Sequence, residues 1–292
     1  MDMIEIRPLI TMEACLEAEF VQKQAWTIGD AEVVPAHLLH SLQHVGAAVL
    51  GAYDGMQMVG MSLAVIGTVA SLDTRIDPVA AARLQMYSAL TGVLPDYHGH
   101  GVGYKLKLAQ RDFAMRIGIR LITWTYDPLE SLNGRFNIGK LGAVCQRYLP
   151  NYYGELGGIN AGLPTDRFEV DWWITTSRVK GRVNQVKRPL GLDALLGGGA
   201  ILINAVTFNA VGLPLPAPNI AIQSGNLMLV EIPSDIRQIK AQDFDLADQW
   251  RNHTRFLFER LFADDYAVTD FVRDQDENGR EHSYYLLTYQ DA

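Results

Sequence analysis

The sequence predicts an α/β protein built on a mixed sheet, with a smaller α+β piece at its C-terminal end. Three observations carry this. Strand-like apolar runs alternate with helix-spaced segments from Met3 to Thr175. One such run, Leu84 to Leu94, stops at Pro95, and the alternating glycines Gly99, Gly101 and Gly103 then open a long amphipathic helix. After Thr176 the composition changes, and strand, helix and strand patterns recur.

Met3 to Pro8 alternates like a first strand. Thr11 to Trp26 has helical spacing, with Thr11 placed to cap it. Pro35 to His44 reads as a second helix with its proline in the first turn. Ala47 to Tyr53 and Gln57 to Ile66 form an expected hairpin about Asp54-Gly55. Arg83 to Leu94 is the next strand. The helix from Gly101 to Ile117 places Val102, Leu106, Ala109, Phe113 and Ile117 on one stripe and Lys105, Gln110 and Arg116 outside it. Leu121 to Tyr126 is a strand and Ser131 to Lys140 a short helix stopped by Gly142. Val144 to Tyr153 and Arg167 to Thr175 read as strands joined by the loop Gly154 to Gly162.

Arg178 to Arg188 reads as a basic linker, which divides the chain into residues 1–178 and 179–292. Beyond it lie a strand Ile201 to Phe208, a proline-rich loop, a strand Asn226 to Ile232, a helix Asp243 to Phe262, a strand Tyr266 to Arg273 and a return strand Ser283 to Tyr289. Leu227 to Pro233 parallels Leu90 to Pro95. On that alignment the second piece is a degenerate half-repeat that lacks the glycine turn, since Ser234 to Lys240 reads S-D-I-R-Q-I-K. Chance recurrence of a common strand-helix-strand unit is the alternative.

A formal net charge of −8 argues against nonspecific binding to nucleic acid or to an anionic membrane. Cys15 and Cys145 have neither CxxC nor metal-like spacing, so no metal is expected. The opening M-D-M-I-E-I-R lacks a basic-then-apolar leader, and a cytoplasmic setting is expected. Ala194 to Val230 carries no charge, yet Gly197 to Gly199, Asn204, Asn209 and three prolines leave no uninterrupted apolar helix of membrane length.

The stretch V-L-P-D-Y-H-G-H-G-V-G-Y from Val93 to Tyr104 is the most informative part of the chain. Glycines let a ligand approach the backbone, and a helix start offers unpaired N–H groups to an anion. The GxxxxGK of a P-loop is absent. A dinucleotide fingerprint needs G-x-G-x-x-G, whereas these glycines alternate and several strands precede them.

The turn resembles the acetyl-CoA-binding turn of the GNAT acyltransferases. There the pattern is Arg or Gln, two residues, Gly, any residue, then Gly or Ala, and His98, Gly101 and Gly103 take those places. The order of elements from Met3 to Thr175 agrees, and Asn137 to Gly142 resembles the family's later helix, which commonly ends Lys-x-Gly. The resemblance implies a GNAT-like sheet splayed at the strands flanking the turn helix. It assigns the acyl-CoA pyrophosphate to backbone amides from Gly99 through His100, Gly101, Val102 and Gly103 to Tyr104, with His98 also on the cofactor, and the pantetheine to the strand around Gly92, Val93 and Leu94. It implies N-acetylation of a small amine by direct attack on the thioester, with backbone polarising the carbonyl. The C-terminal piece would cover the substrate cleft or form a homodimer interface.

Two departures are visible. Histidines, His98 and His100, stand where cationic residues are usual, and they also suit exposed loop positions without a role. The tyrosine that often serves as general acid falls at Ile138. Tyr126, Asn133 and Tyr148 are the candidate catalytic groups instead, with Asp127 and Asn137 also near the cleft on this reading. Each has a plainer role: Asp127-Pro128 starts a turn, Asn133 caps a helix and Tyr148 packs. Trp172 and Trp173 are expected to pack the sheet edge, and Cys145 lacks a base that would make it a nucleophile. The competing functions are a non-catalytic CoA-binding module and an NAD-dependent oxidoreductase.

Overall fold

A computed structural model describes residues 4–68, 84–157, 162–184, 190–218, 220 and 225–290. The chain divides into two units, Met1–Trp124 with Gly157–Ala161, and Thr125–Leu156 with Gly162–Ala292. The first of the two expected regions therefore contributes residues to both.

In the first unit, β1 (Glu5–Pro8), β2 (Ala48–Asp54), β3 (Gln57–Thr68), β4 (Leu84–Val93) and β5 (Leu121–Tyr126, which carries the chain onward at Thr125) follow one another in sheet order. Only the β4–β5 pair is parallel. Thr11 caps α1 (Met12–Trp26) by accepting from the Ala14 amide, as expected. The helix α2 (Ala36–His44) starts just after Pro35. Buried Gln22 of α1 bonds both backbone groups of Val34 and ties down the connection between the two helices.

Side chains alternate across a strand, so neighbouring glycines show which helix lies on each face. A Cβ at Gly92 would meet Trp26 and Ala25 of α1; one at Gly60, the partner of Val93, would meet Val102 and Leu106 of α3 (Val102–Arg116). The sheet is thus sandwiched, and Leu9, Val21, Leu39, Val59, Met61 and Leu106 fill its core.

The buried stripe of α3 differs from the expected one. Val102, Leu106, Gln110 and Ala114 are buried together with Lys107, while Ile117 lies outside the helix and is exposed. Strict four-residue spacing rotates the stripe slowly around the axis and brings two polar residues inward.

The second unit contains α4 (Ser131–Gly134, continued by a wider π-turn at Arg135–Lys140), β6 (Val144–Leu149), β7 (Arg167–Trp173), α5 (Ser177–Val183), α6 (Leu192–Gly197) and the short strands β8 (Ile201–Leu202), β9 (Thr207–Phe208) and β10 (Pro214–Leu215). It ends with β11 (Leu227–Ile232), α7 (Ile236–Gln242), α8 (Phe244–Ala263), β12 (Tyr266–Gln275) and β13 (Glu281–Tyr289). The expected basic linker is corrected: Thr176 accepts from the Val179 amide and starts α5, so residues 177–183 are helical, and 185–189 lie outside the described residues. The single expected strand 201–208 is two short ones, because Asn204 leaves the ladder between them. Trp172 is buried and donates to the Leu141 carbonyl at 2.8 Å, whereas Trp173 is exposed. No helix among the described residues is long and apolar enough to cross a membrane.

Strand order in this unit runs β7-β6-β12-β13-β11-β8. Two helix-plus-hairpin groups, α4-β6-β7 and α8-β12-β13, therefore meet through their first strands, paired antiparallel at Val268 and Cys145. Each group follows a strand, β5 or β11, that has a parallel partner, β4 or β8. In strand order β11 matches β5 and not β4, one strand later than the sequence alignment placed it. The correction has a simple cause, since β13 separates β11 from β12, whereas β4 and β5 are direct neighbours.

Candidate functional site

The glycine turn folds as the sequence predicts. Leu94 donates to the Val59 carbonyl at 2.9 Å, and one 3₁₀ turn, Pro95–Tyr97, reverses the chain. The Tyr97 hydroxyl donates to Asp54 at 3.1 Å, and the His98 Nε2 lies 3.0 Å from the Val93 carbonyl. Gly99 and Gly101 have φ of +81° and +78°, where a side chain is strained. Gly101 is the N-cap of α3 and supplies no side-chain acceptor.

A bond inside α3 runs from Lys105 N to the Gly101 carbonyl, and the amides of Val102 and Gly103 stand ahead of it. A 15-residue helix adds roughly half a positive charge at this end. Of the residues expected here, Val102 turns its side chain into the core, while His98, Gly99 and His100 are exposed on the turn. A helix start of this kind is the backbone arrangement that suits a phosphate-like anion.

Beside the turn, β4 is irregular. Leu63 pairs with Leu90 but Val65 pairs with Tyr87, so Ser88 and Ala89 form a bulge against one residue of β3. On the other side β4 pairs with β5 only at Met86–Ile122 and Tyr87–Thr123. Beyond these residues the ladder between the two parallel strands does not continue among the described residues.

At the bulge, Lys107 of α3 donates to the Ser88 hydroxyl at 2.8 Å, and its Nζ lies 3.7 Å from the centre of the Trp124 ring. Ser88 in turn donates to Gln110 at 2.9 Å. All of these are buried, and burial alone lowers the Lys107 ammonium to about 7. None was singled out from the sequence; the four-residue spacing of Val102, Leu106 and Gln110 is the signal that could have found the buried polar pair.

The three candidate catalytic groups lie in the second unit. Tyr126 and Tyr148 both meet the Phe168 ring edge-on, at 5.8 and 5.9 Å, whereas Asn133 stands apart and exposed in α4. The Tyr126 hydroxyl is buried, 3.2 Å from that of Tyr285, and burial raises both groups well above the usual phenol range. Tyr148 donates to Asp166 at 2.6 Å, and burial followed by this carboxylate raises it too. Asp127 accepts from the Leu129 amide, forming the expected turn, and also receives a two-pronged guanidinium from buried Arg251. Arg255 grips Asp166 in the same manner. Asn137 is buried within the π-turn, its carbonyl accepting from Ala143 N. Cys145 is buried, which pushes its thiol far up and away from nucleophilic use.

No family model matches the chain, and no curated protein matches it. Solved structures do. A GNAT-family protein from Desulfovibrio desulfuricans is 14% identical, with a TM-score of 0.44 over 59% of this chain and 100% of that one. NAA60 of Arabidopsis thaliana, solved with acetyl-CoA, is 16% identical, with a TM-score of 0.47 over 59% and 100%. The ribosomal-protein-S18-alanine N-acetyltransferase of Escherichia coli is 16% identical, with a TM-score of 0.44 over 60% and 96%. The chain's likeness to each of these structures stays below a TM-score of 0.5. The mixed sheet with helices is the expected α/β class, and strands continue after β7.

Proposed function

We propose that the chain is an acyl-CoA-dependent N-acyltransferase, acting in the cytoplasm on a small amine. One observation supports the reading: the glycine turn follows directly on β4, the strand that carries the bulge and whose ladder with β5 stops at Tyr87–Thr123, so a ligand arm would find a slot along β4 next to the turn. A pyrophosphate held by the amides of Gly101 to Gly103 leaves a thioester-bearing arm free to run along Val93 and Leu94 toward the bulge. The acceptor amine would attack the thioester carbonyl, form the C–N bond and release CoA as the thiol, with its own surplus proton passing to solvent or a base. Bulge amides near Ser88 and Ala89 are suited to polarise that carbonyl. Residues 1–178 would bind donor and acceptor, and residues 179–292 would complete the acceptor side or a homodimer interface.

A second reading, a CoA-binding module without catalysis, is favoured by the engagement of Tyr126 with Tyr285 and of Tyr148 with Asp166. Acetyl-CoA turnover with a panel of amines, read by thiol release, separates the two. Thermal stabilisation by CoA is expected in either case, and stabilisation by NAD alone would overturn both.

A further inference from the structure

The buried group under the slot is unusual in what it lacks. Lys107 has no carboxylate partner among the described residues; its ammonium donates to Ser88 and otherwise faces the Trp124 ring. Gln110 uses its carbonyl oxygen for Ser88, but its buried Nε2 has no hydrogen-bond partner. The Ser62 hydroxyl, on the β3 strand under the same helix, is also buried without one. Buried polar groups are ordinarily paired, and a buried cation ordinarily has an anion. Here Lys107 and Gln110 share one partner, Ser88, Gln110 keeps a spare donor, and among the described residues no acid pairs with Lys107.

Position gives the cluster a use. Ser88 lies in the β4 bulge and Trp124 is the β5 residue just past the last strand pair, Tyr87–Thr123. Lys107 touches both, so its ammonium bridges the two strands where their ladder stops. That is the closed end of the slot, where the acyl end of the donor would lie on the function proposed above. An acetyl group brings no charge to this place. A longer acyl chain with a terminal anion would meet the ammonium and the free amide together.

Resting on that function, we propose that the acyl group ends in a carboxylate bound by Lys107 and Gln110, so the preferred donor is the CoA thioester of a short dicarboxylic acid. The transfer balances as before: the amine nitrogen bonds to the thioester carbon, the C–S bond breaks, and CoA leaves as thiol. The product is an amine carrying an acyl chain with a free carboxylate. Lys107 acts on specificity, and the reacting carbonyl is left to the backbone.

Calorimetric titration of the full chain needs no acceptor. Malonyl-, succinyl- and glutaryl-CoA would be compared with propionyl-, butyryl- and free CoA. At least one dicarboxylic thioester should bind tenfold or more tightly than its neutral counterpart. The Lys107→Met variant should lose that preference while binding free CoA unchanged, and Gln110→Leu should reduce it. Equal binding of charged and neutral acyl groups by the wild-type chain would overturn the proposal, as would an undiminished preference in a folded Lys107→Met variant. Failure of free CoA to bind at all would instead remove the acyltransferase reading itself.

Discussion

Asn204 holds the backbone of Glu231 from both sides: its amide donates to the Glu231 carbonyl at 2.8 Å, and its oxygen accepts from the Glu231 N–H at 2.7 Å. The second amide hydrogen reaches His253 Nε2 at 3.1 Å, and burial lowers His253 to about 4, so its ring stays neutral and can accept. The contact falls immediately after the paired residues of β8 and β11. In the first half the ladder of the parallel pair β4–β5 stops at the corresponding place; in the second, an asparagine side chain continues the ladder and closes it.

Replacing Asn204 with alanine leaves two buried backbone groups of Glu231 unsatisfied, each costing about 1–3 kcal/mol. Thermal unfolding of Asn204→Ala should show Tm lowered by roughly 5–10 °C. An unchanged Tm would mean that the plug contributes nothing.

Lys107 should be a stability liability at neutral pH. Its folded value, about 7, is below its unfolded value, so the unfolded chain binds more protons between that pH and about 10. Wild-type stability from this group therefore rises with pH across that window, by up to ~1.4 kcal/mol per unit. Lys107→Met should be more stable than wild type at pH 7, with the gap narrowing toward pH 10. Denaturant titrations of both proteins at several pH values check the sign.

Arg251 is almost wholly inaccessible and binds Asp127 with two nitrogens. Its removal strands a carboxylate that Arg167 only approaches, at 3.6 Å. Arg251→Met should cost on the order of 3–5 kcal/mol, and Arg251→Lys should recover little, because an ammonium cannot fork. Equilibrium unfolding measures both variants.

The glycines of the turn should separate by conformation. Gly101→Ala forces a side chain to φ +78° and should destabilise by about 1–2 kcal/mol, with loss of CoA affinity. Gly103 is helical, and a Cβ there meets only Val93 at 3.8 Å. Gly103→Ala should be neutral to about 1 kcal/mol stabilising. Unfolding midpoints together with CoA titrations distinguish the pair.

Most elements of the fold were legible from local signals. Thr11, Asp54-Gly55, Gly101 and Gly142 each carry turn or cap chemistry that acts over a few residues, and the structure places a boundary at each. Non-local facts were hidden. The sequence shows β11-helix-β12, but nothing local says that β13 will lie between those strands and shift the repeat by one element. The same holds at the site. The glycine turn announced itself, whereas Lys107 and Gln110 look like solvent-facing helix residues until strand bulging and helix rotation bring Ser88 and Trp124 against them. Tyr126 and Tyr148 were chosen for their chemistry; that both abut Phe168 depends on strand pairing far along the chain.

The meeting of β6 with β12 has one more consequence. A strand left bare exposes a row of unmatched amides and carbonyls that any extended peptide, including another copy of the same chain, can use as a template. Here the chain supplies its own complement, and β6 has β7 on one side and β12 on the other. Self-association by strand addition is barred where Cys145 meets Val268, and a partner strand would have to add elsewhere.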